Sequence, residues 1–507
     1  MAEKEYIVSL KRGVDASAFK AEMTQSSGDA NIPARSVDVA NERLLSVRNT
    51  HYALTDEEAQ QLKNDSRVAD VAIPPDQDDS IEIGLHATQT ANFTKTTSDS
   101  GSFVNWGLRR CITNSNPYSG STVSGDYTYN LDGTGVDVVI QDSGLQVDHP
   151  DFNDVNGVSR VQQIDWYTES GVSGTQSANH YRDYDGHGTH VASTAAGLTY
   201  GWAKNARVYS VKLAGLEGDN DSGTGISVSN AFNVIKGWHN NKAVDPATGY
   251  KRPTIVNMSW GYNTTFTNIT GGNYRGTSWT ATSRQTQYGM VGVNTLSGYK
   301  FGVRVTSVDT DVQEMIDAGI HVCVAAGNYY QKIDVPTGLD YDNYCTLGGI
   351  NRYYHRGGSP FDDEAFVVGN IDSTVHSGGL EQKLSSSENG PGVDIYAPGT
   401  NIMAAVSTIN DTTSGDYPPD SNYKICNISG TSMASPQVCG VGALLLQANP
   451  HSTPAQLKSH IIASCQTNGI YSTGLDNDYT DSRSIKGGNN RFLVNPFPSE
   501  YKFRIQN

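Results

Sequence analysis

The pattern of hydrophobic and polar residues divides the chain into a short N-terminal part and a long C-terminal part. The short part has three strand-like runs and two helical stretches, namely EYIVSL, RLLSVRN, RVADVAI, residues 15–24 and residues 55–64. The second helical stretch opens with Thr55 and carries Glu58 three residues later, a capping-box spacing that satisfies N–H groups at a helix start. This pattern predicts a small α+β domain over residues 1–76.

From residue 104 onward, apolar strand-like runs alternate with helical stretches, a rhythm that is typical of βαβ units on a parallel sheet. The strand-like runs are GVDVVIQ, ARVYSVKLAG, TIVNMSWG, GIHVCVAAGN, AFVVGNID and VDIYAPG. Residues 104–507 are therefore predicted to form an α/β domain whose mostly parallel, twisted sheet lies between helices.

Three stretches depart from this rhythm. Residues 77–103 are polar and rich in Thr, Ser and Gln, so we expect an exposed linker that a protease can reach. Residues 262–305 are rich in Thr, Gly, Asn and Tyr, and residues 329–364 are rich in Tyr, Gly and Asp. Both segments are predicted to be loop or hairpin insertions rather than additional core.

Composition narrows the classes of partner. The 507 residues carry 36 Lys and Arg against 53 Asp and Glu, a formal charge of -17, which argues against nucleic acid or an anionic membrane as partner. The N-terminal residues lack the apolar region of a Sec signal peptide, and no apolar run approaches the length of a membrane-spanning helix. The sequence thus predicts a protein that works where it is made or leaves by another route, and the compartment stays open.

In the stretch NISGTSMASPQVCGVGALLLQANP, Ser432 lies two residues after Gly430 and directly before a run that is apolar on nearly every face. Such a run is typical of a buried helix. Pro436 fits that helix only in its first turn, where the missing N–H leaves nothing unpaired. A serine hydroxyl is a weak nucleophile until a base takes its proton, so the rest of the chain has to supply that base.

Three further residues stand at strand ends or helix starts and have the required chemistry. Asp142 ends a strand-like run, although Asp-Ser-Gly also occurs as a plain turn. His187 lies between glycines in DGHGTHVA, where His187 and His190 are alternatively buried hydrogen-bonding residues or a metal pair. Asn328 ends VCVAAGN, where it either closes the strand or donates to an oxyanion.

Together these motifs resemble the subtilisin-like serine protease family, and more narrowly its proteinase K-like branch. The resemblance rests on VVIQDSGLQVDHPDF, DGHGTHVA, NMSWG, VAAGN and SGTSMASPQV, with NWGL near the expected start of the mature enzyme. It implies a three-layer subtilisin-like fold. It also implies that residues 1–76 are an inhibitory propeptide with a ferredoxin-like α+β fold, which binds the enzyme as an intramolecular inhibitor.

The resemblance implies a role for each matching residue. Ser432 would be the nucleophile, His187 the base, Asp142 the group that orients the base, and Asn328 an oxyanion donor. Polypeptide substrates would pair with two cleft strands, formed by Ser259, Trp260 and Gly261 on one side and Ala325, Ala326 and Gly327 on the other.

The resemblance requires no organic cofactor but implies a structural calcium site. Asp394 matches its side-chain ligand, with the backbone carbonyls of Asp363 and Ala365 as further ligands. The alternative is a surface aspartate at a strand start.

Two other classes of function compete with a self-inhibited endopeptidase. One is a non-catalytic relative kept for binding or structure, for example a virion component. The other is an esterase-like acyl hydrolase with the same triad. A pseudo-enzyme is expected to have lost a triad residue, and none is lost in this sequence.

Overall fold

A computed structural model describes most of the chain. The described residues are 3–25, 31–43, 45–78, 82–85, 87–90, 105–112, 116, 129, 131–214, 225–266, 269–280, 288–290, 299–409, 415–473 and 481–496. No helix in these ranges is both long and apolar enough to span a membrane.

The N-terminal residues form a small sheet of strand order β2-β3-β1-β4, in which every described pair is antiparallel. Its core is separate from that of the larger domain and includes Phe19, Met23, Tyr52 and Leu62. Thr55 and Glu58 form the predicted capping box. The elements are β1 (Lys4–Leu10), α1 (Ala16–Thr24), β2 (Val39–Asn41), β3 (Asn49–Leu54), α2 (Asp56–Leu62) and β4 (Val68–Ala72).

Two short strands follow, β5 (Glu82–Leu85) and β6 (Ala87–Thr90). The interpretation of residues 77–103 as an unpatterned linker is wrong for these eight positions, because both strands pair with the larger domain. Their strand conformation comes from those partner strands rather than from a pattern of their own. Of the rest of the predicted linker, residues 79–81, 86 and 91–103 lie outside the described residues.

The larger domain contains the remaining helices and strands. They are α3 (Trp106–Arg110), β7 (Asp137–Asp142), β8 (Val161–Gln162), α4 (Trp166–Ser170), α5 (His187–Ala196), β9 (Arg207–Lys212), α6 (Val228–Asn241), β10 (Thr254–Met258), β11 (Trp260–Phe266), β12 (Gly271–Tyr274), β13 (Thr277–Thr280), β14 (Tyr299–Gly302), α7 (Thr306–Asp317), β15 (His321–Ala325), β16 (Tyr344–Leu347), β17 (Ile350–Tyr353), β18 (Phe366–Val375), β19 (Glu381–Lys383), β20 (Ile395–Pro398), β21 (Ile402–Val406), β22 (Gly415–Tyr417), β23 (Asp420–Gly430), α8 (Thr431–Ala448), α9 (Pro454–Ser464), β24 (Gln466–Thr467) and β25 (Arg491–Phe492).

The main sheet has the strand order β24-β25-β20-β18-β15-β10-β7-β9-β8, and the run from β25 to β8 is parallel throughout. Every residue of β7, β10, β15 and β20 is buried, so both faces of the sheet are covered. Helix α8 packs on β10, β15, β18 and β20 and against α5, while α6 and α7 pack on each other. The prediction of an α/β fold with helices around a mostly parallel sheet is confirmed.

The two insertions meet in one small sheet of order β13-β12-β16-β17. Residues Trp279, Met290, Phe301, Cys345 and Tyr354 form a separate buried cluster beneath it. The expectation that residues 262–305 and 329–364 add no core is therefore wrong. Strands from the two segments pair across about 70 positions of sequence, a contact that neither segment reveals by itself.

The small domain rests on α6 and α7 of the larger domain. Arg43 forms a 2.8 Å ion pair with Asp311, and both side chains are almost fully buried. The N–H of Val47 donates to Glu314, and Lys236 donates to the carbonyl of Leu45. The prediction of a strand at RLLSVRN is wrong, because the residues before β3 make these contacts instead of pairing in a sheet.

Candidate active site

Asp142 and His187 meet at the edge of the main sheet, where β7 ends and α5 begins. His187 Nδ1 donates to Asp142 Oδ1 over 2.7 Å, and both side chains are buried. Glycines permit this close approach: Gly186 adopts the left-handed φ of 93° before the helix, and a Cβ on Gly188 would lie 2.2 Å from the carbonyl oxygen of Gly144. Only a small-residue turn can bring the two elements this close.

The environment of His187 favours its charged form. Burial lowers the pKa of the ring, but the charge and hydrogen bond of Asp142, with the charges of Asp185 and Asp183, raise it above the usual value of 6.5. Because Nδ1 donates to Asp142, the neutral ring keeps Nε2 as its acceptor. His187 Nε2 is buried and has no hydrogen-bond partner among the described residues. It is therefore available as a base.

Asp183 and Ser143 fix the two loops that carry this pair. Ser143 Oγ donates to Asp183 over 2.9 Å and accepts from the N–H of Gly188 over 2.8 Å. Asp183 also accepts from the N–H groups of Gly186 and Thr189. Sequence reasoning missed Asp183, although an aspartate shortly before a helix start is a signal for capping.

Ser432 is the second residue of α8 and is fully buried. Pro436 lies in the second turn of α8, so the expectation that it falls in the first turn is wrong. A proline there leaves the carbonyl of Ser432, four residues back, without its helical N–H. The hydroxyl of Ser259 donates to this carbonyl over 2.9 Å and so replaces the missing hydrogen bond.

Ser259 also orients the hydroxyl of Ser432, the candidate nucleophile. Ser432 Oγ donates to the carbonyl of Ser259 over 3.1 Å, and Asn257 donates to Ser259 Oγ over 2.8 Å. In this structure the hydroxyl thus points to Ser259, and His187 Nε2 has no partner in the described ranges. For His187 to act as the base of Ser432, the Ser432 side chain would have to rotate away from Ser259.

Asn328 lies beside the start of α8. Its Oδ1 accepts from the N–H of Thr431 over 3.0 Å and from the hydroxyl of Thr431 over 3.2 Å. With the amide oxygen held by Thr431, the side-chain N–H₂ is the end that faces away from that residue. This orientation suits a donor to an oxyanion next to Ser432.

One predicted cleft strand pairs with the chain itself. β11 and β5 are antiparallel, with Trp260 opposite Leu85 and Gly261 opposite Gly84. On the C-terminal side of residue 86, strand β6 pairs antiparallel with β23, with Ala87 opposite Gly430. The two strands on either side of residue 86 therefore pair with different strands of the larger domain, β5 with β11 and β6 with β23. Residue 86 itself lies outside the described residues.

The second predicted cleft strand does not pair with this segment. Ala326 donates its N–H to Val368, the N–H of Gly327 donates to the hydroxyl of Thr431, and the carbonyl of Gly327 accepts from Glu388. These backbone groups bond within the domain, and the role of Ala325, Ala326 and Gly327 in binding a peptide stays a prediction. Sequence reasoning missed the strand that pairs with this segment, residues 428–430 of β23.

The two metal hypotheses have different outcomes. Burial lowers the pKa of His190 to about 3, and its Nε2 contacts the carbonyl oxygens of Ile402 and Cys426, so His190 is a neutral, structural residue. No cluster of His, Cys, Asp and Glu suited to a metal ion occurs in the part of the chain that the structure describes. The predicted calcium ligands Asp363, Ala365 and Asp394 do converge, but on the ammonium of Lys458.

Comparison with known proteins finds a matching family and related sequences. The sequence model of the subtilase family matches residues 133–483. An extracellular serine proteinase of Thermus sp. (strain Rt41A) is 27% identical over 428 residues, covering 84% of this chain and 73% of the relative. Subtilisin-like protease 4 of Trichophyton rubrum is 28% identical over 485 residues, covering 93% and 90%.

The fold is also similar to a solved structure. Fervidolysin from Fervidobacterium pennivorans, described as a keratinolytic enzyme related to subtilisin, superposes with a TM-score of 0.54. The sequence identity is 17%, and the match covers 98% of this chain and 62% of fervidolysin. At this sequence identity, the similarity to fervidolysin shows that the two proteins share a fold and shows nothing more.

Proposed function

Because the chain belongs to the subtilase family of serine proteases, we propose that it is a serine endopeptidase made as a self-inhibited precursor. The observation that carries the catalytic part of the proposal is the buried 2.7 Å hydrogen bond between His187 and Asp142. It leaves Nε2 without a hydrogen-bond partner among the described residues, on helix α5, which packs against α8, and α8 carries Ser432 as its second residue.

Each residue has a step in peptide hydrolysis. Ser432 Oγ turns from Ser259 to His187 Nε2, gives up its proton and attacks the substrate carbonyl carbon. Asn328 and the N–H of Ser432 donate to the oxyanion, and a residue at the second position of a helix has no intrahelical acceptor for that N–H. His187, stabilised as imidazolium by Asp142, then protonates the leaving amine, and water hydrolyses the acyl-enzyme by the same sequence of proton transfers.

The pairing of β11 with β5 and of β23 with β6 favours cleavage within a polypeptide chain rather than at its ends. Strands β11 and β23 provide backbone partners on both sides of Ser432, as their pairing with β5 and β6 demonstrates for this chain's own segment. A substrate bound by both is an extended polypeptide that continues in both directions. This arrangement also favours a peptidase over an esterase, since an ester substrate needs no such ladder. A non-catalytic relative would have no use for a buried histidine whose Nδ1 is held by a carboxylate while its Nε2 has no partner among the described residues.

A fluorophosphonate probe tests the catalytic proposal. We expect the processed enzyme to form a covalent adduct on the peptide that contains Ser432, because only a serine with an adjacent base reacts at a useful rate. The measurement is the mass shift of that peptide, with thermally unfolded enzyme as the control, in which the base is no longer in place. If processed enzyme carries no adduct and does not hydrolyse casein, the protein is a non-catalytic relative.

The inhibitory part of the proposal rests on where the small domain and the following strands lie. Residues 1–76 dock on α6 and α7 through the buried ion pair of Arg43 and Asp311, and the chain then enters the cleft as β5 and β6. A substrate needs the same faces of β11 and β23. We therefore assign the small domain to the role of an intramolecular inhibitor, which blocks the cleft until it is degraded.

The register of the two ladders predicts where the precursor is cut. Trp260 opposes Leu85 and Gly430 opposes Ala87, so the bond presented to Ser432 lies between Leu85 and Ala87. We expect active enzyme to begin at Ala87 or one residue before it, as measured by N-terminal sequencing and intact mass. Fully active material that still begins at Met1 or Ala2 would contradict the precursor proposal while leaving the catalytic proposal intact.

A further inference from the structure

The ammonium of Lys458 lies at the meeting point of three oxygen atoms from two other parts of the chain. It donates to the carbonyl of Asp363 over 2.8 Å, to the carbonyl of Ala365 over 2.7 Å and to Asp394 Oδ2 over 2.8 Å. A lysine ammonium has three N–H donors. All three are therefore used, each at the short distance of a charge-assisted hydrogen bond.

The backbone around Lys458 holds it in this position. Helix α9 begins with a capping box formed by Thr453 and Gln456, and its residues Leu457 and Ile461 are buried in the main core. Lys458 lies between these two anchors, with only 13% of its side chain exposed against 20% for Asp394. Water thus screens the charges of Lys458 and Asp394 only partly. Their interaction is therefore stronger than that of an ion pair on the surface.

The contact joins three elements of the domain. Asp363 and Ala365 precede β18, and Asp394 precedes β20, the neighbouring parallel strand. Asp394 Oδ2 also accepts from the N–H of Val367 in β18 over 2.9 Å. Lys458 consequently ties α9 to the N-terminal ends of both strands.

These three oxygen atoms are the calcium ligands implied by the family resemblance, yet they do not fit a calcium ion as they stand. Calcium takes six to eight oxygen ligands at about 2.3–2.6 Å. Here the nitrogen of Lys458 stands 2.7–2.8 Å from each of the three oxygens, in the space that the ion would need. The ammonium and a calcium ion exclude each other.

We propose that Lys458 is a built-in cation that takes the place of calcium, so that this end of the main sheet is held together without a metal ion. A lysine supplies positive charge and three directed donors from within the chain. Unlike a bound ion, it cannot be removed by a chelator or by dilution.

Thermal unfolding and calcium binding of the full chain test this proposal. The parent carries Ser432→Ala so that self-digestion does not contribute, and Lys458→Ala is added to it. We expect Lys458→Ala to lower the melting temperature in chelator by on the order of 5 °C, because Asp394 loses its charge partner. We expect millimolar calcium to restore much of this loss, since a cavity bordered by Asp363 and Asp394 gives the ion access. Equilibrium dialysis should show one more bound calcium than in the parent.

Two further variants keep the test decisive. Lys458→Gln retains donors without the charge and should show a smaller loss, which provides a measurement if the alanine variant does not fold. Lys251→Ala removes an exposed lysine that donates to the carbonyl of Asn240, and it should not change the calcium response. An unchanged melting temperature for Lys458→Ala would overturn the proposal. So would a loss that calcium does not restore, or calcium binding by the parent that Asp394→Asn abolishes.

Discussion

Replacing Ser432 with alanine is expected to lower kcat/KM for peptide hydrolysis by roughly 10⁶-fold, the size of loss that removal of the nucleophile causes in subtilisin, a member of the same family. The hydroxyl of Ser432 is the group proposed to form the acyl-enzyme, whereas its hydrogen bond to the carbonyl of Ser259 has a structural role. The backbone carbonyl of residue 432 keeps its hydrogen bond from Ser259 in the variant, so α8 is expected to remain in place. The loss is therefore chemical rather than structural when both proteins are assayed after removal of the N-terminal segment, because the uncut chain is also blocked at its cleft.

The same variant separates self-cleavage from cleavage by another protease. With no nucleophile, the chain should remain uncut between Leu85 and Ala87, and its intact mass should be that of the full precursor. Ser435→Ala is a matched control, since Ser435 is a buried serine on the same helix that donates to Asn257 over 2.7 Å. We expect it to lose some stability and to retain activity within about tenfold of the wild type. A Ser432→Ala protein that hydrolyses casein at a rate near that of the Ser435→Ala control would refute the assignment of the nucleophile.

The fold of the larger domain was predictable because each strand of a parallel sheet buried on both faces has an uninterrupted apolar run of sequence. β7, β10, β15 and β20 are such runs, and each lies where the pattern placed a strand. Strands that form through a partner carry no such signal. β5 and β6 are strands because β11 and β23 pair with them, and β12 is a strand because β13 and the distant β16 pair with it. Because these segments are polar or rich in glycine, their sequences alone predicted loops where the structure has strands.

The candidate site shows the same division between local and distant information. Asp142, His187, Asn328 and Ser432 stand at ends of predicted elements, so local pattern and resemblance sufficed to name them. Ser259 donates to the carbonyl of Ser432 because Pro436 cannot supply the helical N–H for it. This compensation can be inferred only when the first residue of α8 is known. Lys458 is another such case. The three oxygens were predictable from the resemblance, but the cation that binds them comes from a different helix, 64 positions from Asp394.

Replacing Asp142 with asparagine is expected to lower kcat/KM by about 10⁴-fold while leaving the nucleophile present. The carboxylate accepts from His187 Nδ1 and stabilises the imidazolium that forms during attack. An amide provides no charge, and its N–H₂ can turn toward Nδ1 and place the ring proton on Nε2, the atom that has to act as base. The variant should still bind peptides, so the loss should lie in kcat rather than in KM.

The pH profile distinguishes this electrostatic role from mere support of the loop. The base has to be neutral, so activity is lost as the pH falls through the pKa of His187, which lies above its usual value mainly because of Asp142. Removing that charge lowers the pKa of His187, and the acid limb of kcat/KM should move to lower pH. Burial raises the pKa of Asp185, whose charge also acts on the ring, to about 6, so the titration of Asp185 affects only the acid end of the profile.

Asp165→Asn is the matched control for this profile. It removes one negative charge from the largely exposed cap of α4, where the carboxylate accepts from the N–H of Thr168, and it should leave both the rate and the acid limb unchanged. Stopped assays with high enzyme concentration give kcat/KM across pH 5 to 9 for all three proteins. If the Asp142→Asn profile keeps the acid limb of the wild type, the charge of Asp142 does not set the pKa of His187. The carboxylate would then act only by fixing the orientation of the ring.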